Sequence, residues 1–254
     1  MSWPHPPPDT VLDGNPANGT ECSPVSDCIH CSVRHLAVCS ALSAEEVHAL
    51  EQVTTSYAVD NGATIARAGE DRLHVYTLTA GALRLVRTLA DGRRLVSGFV
   101  LPGDYVGLSG SDSYRYDIEA IADSRVCRVG VAQMRELRLR YPHLERKLLQ
   151  RACQELDAAQ DSALALARMQ PPEKLADFIL RLAQRQARHQ GNGNRVALPM
   201  GRGDIADHLG LTMETVSRTF TKLRQSNLIA LPHLSVVDIL DRAGLESLAN
   251  DGLE

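Results

Sequence analysis

The sequence predicts an α+β fold with an antiparallel β domain, one long helix after it and a compact, mainly helical C-terminal segment. From about residue 54 to 131, short apolar runs are separated by glycines at roughly ten-residue spacing, as in an antiparallel sandwich or barrel. From about 131 to 167, apolar residues recur every three or four positions, as on one face of a helix. A run of shorter helical patterns then follows Pro171-Pro172.

The composition is that of a soluble globular protein. The 254 residues are 44% hydrophobic and 23% charged, which excludes a disordered, fibrous or coiled-coil chain and leaves room for one large or two small domains. No run reaches about 18 consecutive apolar residues, so no transmembrane helix is expected. The N-terminus lacks the basic and apolar regions of a signal peptide. We therefore expect a cytoplasmic protein without a membrane partner.

The first part of the chain is expected to consist of a tail and a β domain. Residues 1–27 are rich in Pro, Gly, Asn, Asp and Ser, which predicts a flexible tail. Ser43 is a good N-cap for a short helix beginning at Ala44. The strand-like runs are Leu73–Leu78, Ala82–Thr88, Arg94–Val100 and Ile118–Ile121. Asp91-Gly92, between the second and third of these runs, predicts a hairpin.

The helical repeat after the β domain predicts a dimer seam. A helix of about 35 residues would be about 50 Å long, which exceeds the span of a small β domain. A second copy of the same helix is therefore the expected partner for its apolar stripe, although the stripe could instead pack only on its own β domain. The residues assigned to the seam are Leu144, Leu148, Ala152, Leu156, Ala159 and Ala163.

The C-terminal segment carries a helix-turn-helix pattern. A helix is expected over Lys174–Arg188, short strands at Val196–Leu198, Leu228–Leu231 and Val236–Ile239, and a helical tail from Leu240. Residues 203–224 read GDIADHLGLTMETVSRTFTKLR, with apolar residues at helical spacing, a glycine where two helices must turn and a threonine N-cap before the second helix. The second helix should lie in a DNA major groove.

The charged and polar residues of this pattern predict how it contacts DNA. Glu214, Ser217 and Arg218 share one helix face and suit the reading of base edges. Arg202, Thr212, Lys222 and Arg224 are assigned to phosphate contacts, which position a protein without specifying sequence. The whole chain has 27 basic and 31 acidic residues, a net charge of −4 that excludes nucleic-acid binding through bulk positive charge. Residues 168–230, however, hold ten Lys/Arg against five Asp/Glu.

Clustered cysteines predict metal or redox chemistry. Cys22, Cys28, Cys31 and Cys39 lie within 18 residues, and in a cytosolic chain such clustering favours this chemistry over disulfides. Cys28, Cys31 and Cys39, with Cys127 as a fourth ligand, could hold a [4Fe–4S] cluster. Two alternatives stay open: a structural zinc on the first three with His30 or His35, and direct thiol oxidation. Cys22 is interpreted as spare, and Cys153 as a small apolar residue packed within the long helix.

The stretch MGRGDIADHLGLTMETVSRTFTKLRQSNLI resembles the winged helix-turn-helix of the CRP/FNR superfamily of bacterial transcription regulators, and the resemblance covers nearly the whole chain. It implies a sensory β-roll of the cyclic-nucleotide-binding kind at 28–130, a dimerisation helix at 131–170 and a winged helix-turn-helix at 171–254. It also implies a homodimer on double-stranded DNA, and contact with RNA polymerase through β-roll loops around Asp91–Arg94.

Two features resemble the FNR branch of that superfamily. The Glu-x-x-Ser-Arg arrangement at 214–218 implies a palindrome of the type TTGAT-N4-ATCAA, in which Arg218 and Glu214 read the G·C pair and Ser217 the neighbouring A·T pairs. The cysteine spacing is similar to that of FNR-type oxygen regulators of α-proteobacterial kind. This implies an oxygen-labile [4Fe–4S] cluster whose loss weakens the dimer and DNA binding.

Other functions find less support in the sequence. A cyclic-nucleotide pocket would need a Gly-Glu-Leu…Arg-Ala pattern, and residues 102–120 supply Arg115 but not the rest. No phosphate-binding glycine loop, zinc-protease motif or nucleophile elbow occurs. A cluster-bearing electron-transfer enzyme would need a second cofactor site that the sequence does not offer. We therefore expect a regulator and not an enzyme.

Overall fold

The computed structural model describes residues 28–191 and 193–250. The predicted tail at 1–27, and Cys22 within it, lie outside the described residues. None of the described helices has the length and apolar character needed to cross a membrane.

The described part of the chain begins with a short apolar segment that carries three of the cysteines. This cysteine segment, residues 28–42, ends in a 3₁₀ turn over Val38–Ala41, and α1 follows at Val47–Glu51. The Ser43 hydroxyl accepts a hydrogen bond from the Glu46 N–H at 3.2 Å, while the Glu46 carboxylate accepts one from the Ser43 N–H at 2.8 Å. These reciprocal hydrogen bonds are those of a capping box, but the helix begins at Val47, three residues after the start at Ala44 that the sequence predicts.

Two antiparallel four-stranded sheets form the β domain. Their strands are β1 Thr54–Val59, β2 Thr64–Ala66, β3 His74–Ala80, β4 Leu83–Thr88, β5 Arg94–Val100, β6 Tyr105–Val106, β7 Asp117–Ala120 and β8 Ser124–Gly130. The sheet orders are β1-β8-β3-β6 and β2-β7-β4-β5. Gly92, at a φ of +84°, turns the β4–β5 hairpin that Asp91-Gly92 predicts. The structure confirms the antiparallel β domain.

The predicted single long helix is wrong, because the chain breaks at Tyr141. Helix α2 spans Val131–Arg140 and helix α3 spans Pro142–Arg168, with Tyr141 at φ −123° and ψ 88° between them. Proline disfavours helical backbone in the residue before it and fits the first position of a new helix. The expected dimerisation helix of 131–170 is therefore reduced to α3, which at 27 residues is about 40 Å long.

The C-terminal segment is a winged helix-turn-helix. Its elements are α4 Pro171–Gln190, β9 Arg195–Ala197, α5 Arg202–Leu209, α6 Met213–Gln225, β10 Ile229–His233, β11 Val236–Ile239 and α7 Arg242–Asn250. Strands β10, β11 and β9 form one antiparallel sheet in that order, with the β10–β11 hairpin as the wing. Pro171 and Pro172 begin α4, where their missing N–H groups have no helical partner to lose.

This C-terminal domain packs directly on the β domain. Val96 and Phe99 of β5 share one hydrophobic core with α4 and α5. The His208 ring on α5 donates through Nδ1 to the Val96 carbonyl oxygen at 3.1 Å, and Arg84 of β4 forms an ion pair with Asp204 of α5.

Candidate nucleic-acid interface and cysteine site

Local sequence builds the helix-turn-helix as expected. Gly210 ends α5 in the left-handed conformation, with a φ of +64° that a residue without a Cβ adopts readily. The Thr212 hydroxyl then caps α6 by accepting a hydrogen bond from the Thr215 N–H at 3.1 Å. Val216, Phe220 and Leu223 bury one face of α6, which leaves the opposite face for solvent or DNA.

The three residues predicted to read bases lie together on that outer face. The Glu214 and Arg218 side chains are 71% and 80% exposed and form an ion pair with each other at 2.5 Å. The Ser217 hydroxyl donates to the Met213 carbonyl oxygen at 2.8 Å. In the chain without DNA these groups thus satisfy one another locally, and contact with base edges would exchange the local partners for bases.

Of the four residues assigned to phosphate contacts, Lys222 and Arg224 are exposed on α6. The Thr212 hydroxyl is engaged in the helix cap. Arg202, the fourth of these residues, is half-buried, and its guanidinium carbon lies 3.4 Å from the centroid of the Phe220 ring. Its Nη1 atom is buried without a hydrogen-bond partner among the described residues, and burial lowers the pKa of this arginine. In the chain without DNA, Arg202 therefore packs on the helix pair, and its contact with a phosphate stays a prediction.

The four predicted cysteine ligands lie close enough to influence one another's ionisation, although no group of three or more His, Cys, Asp or Glu among the described residues is arranged to hold a metal ion. Cys28 is buried, Cys31, Cys39 and Cys127 are half-buried, and none is in a disulfide. Burial and then the neighbouring Cys31, Cys28 and Cys127 raise the pKa of Cys39 to about 12. Burial, Cys28 and Cys31 likewise raise the pKa of Cys127 to about 11. The thiols are thus close enough for ionisation of one to oppose ionisation of the others.

Strand pairing explains how Cys127 reaches the other three cysteines. Cys127 lies on β8, opposite Ser56 of β1 and Thr77 of β3. Because β1 follows directly after α1, this pairing holds β8 close to α1 and to the cysteine segment that precedes it. The backbone N–H of Cys28 donates to the Glu51 carboxylate at 3.0 Å, which fixes Cys28 to the end of α1.

The cysteine segment shares its hydrophobic core with α3. Cys28, Val38 and Leu42 are buried together with Leu144 and Leu148. The assignment of these two leucines to a seam between chains is therefore wrong, since both are buried within one chain. The reason is geometric: the row 144, 148, 152, 156 turns by about 40° at each step of four residues, so its ends point in directions about 120° apart.

A different row on α3 remains open to a partner. Leu156 is 58% exposed and Leu149 63% exposed, and Ala159 and Ala163 are also exposed. We define the outward row as Leu149, Ala152, Leu156, Ala159, Ala163 and Leu166. Its spacing alternates between three and four residues, the 3.5-residue period of a coiled-coil seam. Leu149 was missed in the sequence, and Leu166 was counted in the apolar repeat of this helix but not assigned to the seam; this alternation could have identified both. Cys153, predicted to be packed, is exposed.

Comparison with known proteins agrees with this architecture. Residues 58–141 match the family of cyclic nucleotide-binding domains, and residues 173–248 match the Crp-like helix-turn-helix domain. The chain is 38% identical over 222 residues to the nitrogen fixation regulation protein FixK of Bradyrhizobium diazoefficiens, covering 87% of this chain and 93% of that protein. It is 35% identical over 230 residues to the transcriptional activator protein FnrL of Cereibacter sphaeroides, with coverage of 87% and 93%.

A solved structure of a similar protein has the same fold. FixK2 from Bradyrhizobium japonicum superimposes with a TM-score of 0.72 at 34% identity, covering 77% of this chain and 97% of that one. These relatives are regulators and not enzymes, and members of their family act as dimers. The chain therefore belongs to the CRP/FNR family of DNA-binding, helix-turn-helix transcription regulators.

Proposed function

We propose that this chain is a cytoplasmic, oxygen-responsive transcription activator whose DNA binding depends on a [4Fe–4S] cluster held by Cys28, Cys31, Cys39 and Cys127. The observation that supports the proposal is that thiols from the cysteine segment and from β8, which are distant in sequence, oppose one another's ionisation and therefore lie near one another. FixK-type members of the family lack clusters, so membership in the family does not imply one. This chain's own cysteines are what support a cluster here.

The chemistry of the donor set fits such a cluster. Thiolates are the ligands of iron–sulfur clusters, and four of them complete a [4Fe–4S] site. The raised pKa values of Cys39 and Cys127 mean that burying bare thiolates here is unfavourable. Positive charge on iron would offset that cost and release the protons. When bound, the cluster would supply an oxygen-sensitive redox centre.

The two alternatives from the sequence are less favoured. Among the described residues, no group of three or more His, Cys, Asp or Glu side chains is arranged to hold a single metal ion. Four donors around one zinc would require a tighter arrangement than the corners of a four-iron cluster. Direct thiol oxidation proceeds through thiolates, and the pKa of about 12 at Cys39 keeps that thiol protonated near neutral pH.

The route from the cysteines to DNA passes through α3. The cysteine segment packs on Leu144 and Leu148 of α3, and the outward row lies on another face of the same helix. Order in the cysteine segment therefore helps to fix the position of α3, and with it the pairing of two chains. A coupling of about 2–3 kcal/mol between cysteine ligation and pairing would change DNA occupancy about 30- to 100-fold.

Pairing of two chains would place two copies of α6 on one face of DNA. Helix-turn-helix dimers bind half-sites about one helical turn apart, in successive major grooves. We propose the palindrome TTGAT-N4-ATCAA as the site, with Glu214, Ser217 and Arg218 as the base-reading residues of each half. The exposed tip of the β4–β5 hairpin, around Asp91–Arg94, is the proposed contact with RNA polymerase.

Purification of the full-length protein without oxygen tests the cluster. We expect a brown protein with about four iron and four sulfide per chain, whose colour and affinity for the palindrome both fall in air. A colourless protein with one zinc per chain would contradict the proposal.

A pair of cysteine variants sharpens this test. Cys127→Ser should lower the iron and sulfide content and weaken binding to the palindrome, because it removes one ligand. Cys153→Ser is the matched control, since Cys153 is exposed on α3 and outside the ligand set. Equal cluster content in both variants would remove Cys127 from the ligand set.

A further inference from the structure

A small cavity lies where the cysteine segment, α3 and α4 meet. Its volume is about 180 Å³. Its polar lining consists of His35 from the cysteine segment, Lys147, Gln150, Arg151 and Gln154 from α3, and Arg188 from α4. The four α3 residues are three or four positions apart and so share one face of the helix, which differs from the face of the outward row. We refer to this site as the basic cavity.

The charge of the basic cavity is one-sided. Lys147, Arg151 and Arg188 are cationic near neutral pH, and no Asp or Glu is among the described residues that line the cavity. Arg151 forms an ion pair with Asp104. Across the described part of the chain, Lys147 and Arg188 have no ion pair. Lys147 and Arg188 have no carboxylate partner of their own and repel each other, so an anion placed between them would be favourable.

We propose that the basic cavity binds a small phosphate-type anion. Arginine guanidinium groups present paired donors that match phosphate oxygens, lysine supplies a compact charge, and the two glutamine amides add neutral donors. The volume is below the roughly 300 Å³ of typical pockets for drug-sized ligands. The cavity therefore suits inorganic phosphate, pyrophosphate or the phosphate group of a small metabolite, and not a whole nucleotide.

An anion in this position would join three parts of the protein. It would contact the segment that carries the cysteines, the helix that carries the outward row and the first helix of the DNA-binding domain. A ligand shared by all three stabilises the arrangement in which they meet. The inference goes beyond the proposed iron–sulfur function and is independent of it, because none of the cavity residues is a cysteine.

Titration calorimetry on the full-length protein tests this site. Inorganic phosphate and pyrophosphate are titrated separately, in a buffer free of phosphate at constant ionic strength. The variant K147Q/R188Q removes two cavity charges, and the control R135Q/R146Q removes two charges from exposed positions on α2 and α3 outside the cavity. We expect one pyrophosphate per chain, about tenfold or greater weakening in K147Q/R188Q and unchanged affinity in the control.

Each other outcome overturns the proposal. The proposal would be overturned if neither phosphate nor pyrophosphate gave a binding isotherm. It would also be overturned if anion affinity fell equally in the cavity variant and in the control. Circular dichroism checks that the variants fold. Should K147Q/R188Q not fold, the single variant R188Q takes its place, since Arg188 is exposed. The charge-conserving K147R/R188K should retain binding, and its complete loss there would also contradict a site based on charge.

Discussion

Two faces of α3 have opposite partners. On the inward face, Leu144 and Leu148 are fully buried against the cysteine segment of the same chain. On the outward row, Leu149 and Leu156 remain 63% and 58% exposed. Both faces have apolar residues at helical spacing, and the sequence pattern alone does not distinguish them. The difference shows that an apolar repeat specifies a contact surface, while the rest of the chain decides whether the contact is within one molecule or between two.

The inward face should determine the stability of the single chain. Leu148→Ala removes a buried side chain and leaves a cavity, so we expect a loss of about 2–5 kcal/mol in the free energy of unfolding. Urea unfolding followed by circular dichroism measures this loss. Leu149→Ala is the matched control, because its side chain is mostly exposed in the single chain and should cost less than about 0.5 kcal/mol there.

The comparison between Leu148 and Leu149 requires monomer conditions. At protein concentrations that favour the dimer, Leu149 would contribute both to the stability of the single chain and to that of the dimer. Unfolding is therefore measured at low concentration or in a variant that cannot form the dimer. Equal destabilisation by both substitutions at low concentration would mean that the two faces are not distinct.

The outward row should determine pairing. Leu156→Glu places a charge at the centre of the expected seam, and each dimer carries the change twice by symmetry. We expect the dimer dissociation constant to rise by at least about 100-fold, from the loss of two buried leucines and the burial of two carboxylates. Sedimentation velocity measures this constant.

The matched control for Leu156→Glu is Arg146→Gln, which changes the net charge by the same amount at an exposed position outside the outward row. A dimer of unchanged affinity in Leu156→Glu would place the seam elsewhere. A dimer weakened equally in both variants would show a general charge effect and not a specific contact.

Pairing of two chains matters because it positions two copies of α6 on DNA. Arg218 tests how each copy reads its half-site. Arg218→Ala should cost about 1–3 kcal/mol per half-site at a guanine position and relax discrimination there. Lys222→Ala should instead weaken all sequences alike and lower the dependence of binding on salt. Binding is measured by fluorescence anisotropy on three duplexes: the palindrome, a palindrome in which the guanine of each half-site is replaced, and a scrambled sequence.

The Arg218→Ala variant also distinguishes the contribution of this side chain in the free protein from its contribution on DNA. Arg218 and Glu214 pair with each other in the absence of DNA, and an exposed pair of this kind contributes little to stability. Arg218→Ala should therefore leave the free energy of unfolding nearly unchanged while changing base discrimination. Uniform weakening on all three duplexes would make Arg218 a phosphate contact.

Local signals were sufficient for the helix-turn-helix and insufficient for contacts between distant segments. Gly210 and Thr212 determine their turn and cap from a few residues, and the Asp91-Gly92 hairpin is equally local. Pro142 was also a local signal, and it was overlooked beside the apolar repeat. Burial of Leu144 and stacking of Arg202 on Phe220 depend on which elements meet in three dimensions, which periodicity does not encode.

The site residues show the same division. The spacing of Cys28, Cys31 and Cys39 is visible in the sequence, whereas the approach of Cys127 depends on the pairing of β8 with β1. The basic cavity gave no sequence signal, because His35, Lys147 and Arg188 belong to three separate elements. Motifs thus identify chemistry within one segment, and the fold is needed to identify chemistry assembled from several.

A second contact within the chain, between α5 and β5, supplies the smallest predicted effect. Burial lowers the pKa of His208 below 6.5; the hydrogen bond to the Val96 carbonyl and nearby Asp177 act in the opposite direction, and Arg185 lowers it further. The folded state therefore binds fewer protons than the unfolded state just below pH 6.5. The contribution of His208 to stability should fall as pH falls through this window, and level off below the folded-state pKa, with a slope of at most about 1.4 kcal/mol per pH unit.

Replacement of the imidazole isolates that contribution from other titrating groups. His208→Asn should flatten the dependence of the unfolding free energy on pH just below pH 6.5, because the group that the unfolded state protonates is gone. His233→Asn, at an exposed position on the wing, is the control and should leave the slope unchanged. A slope that is equally steep in wild type and His208→Asn would show that α5 remains docked on β5 without regard to the charge of this histidine. The contact would then resemble the inward face of α3, where apolar packing alone maintains the arrangement.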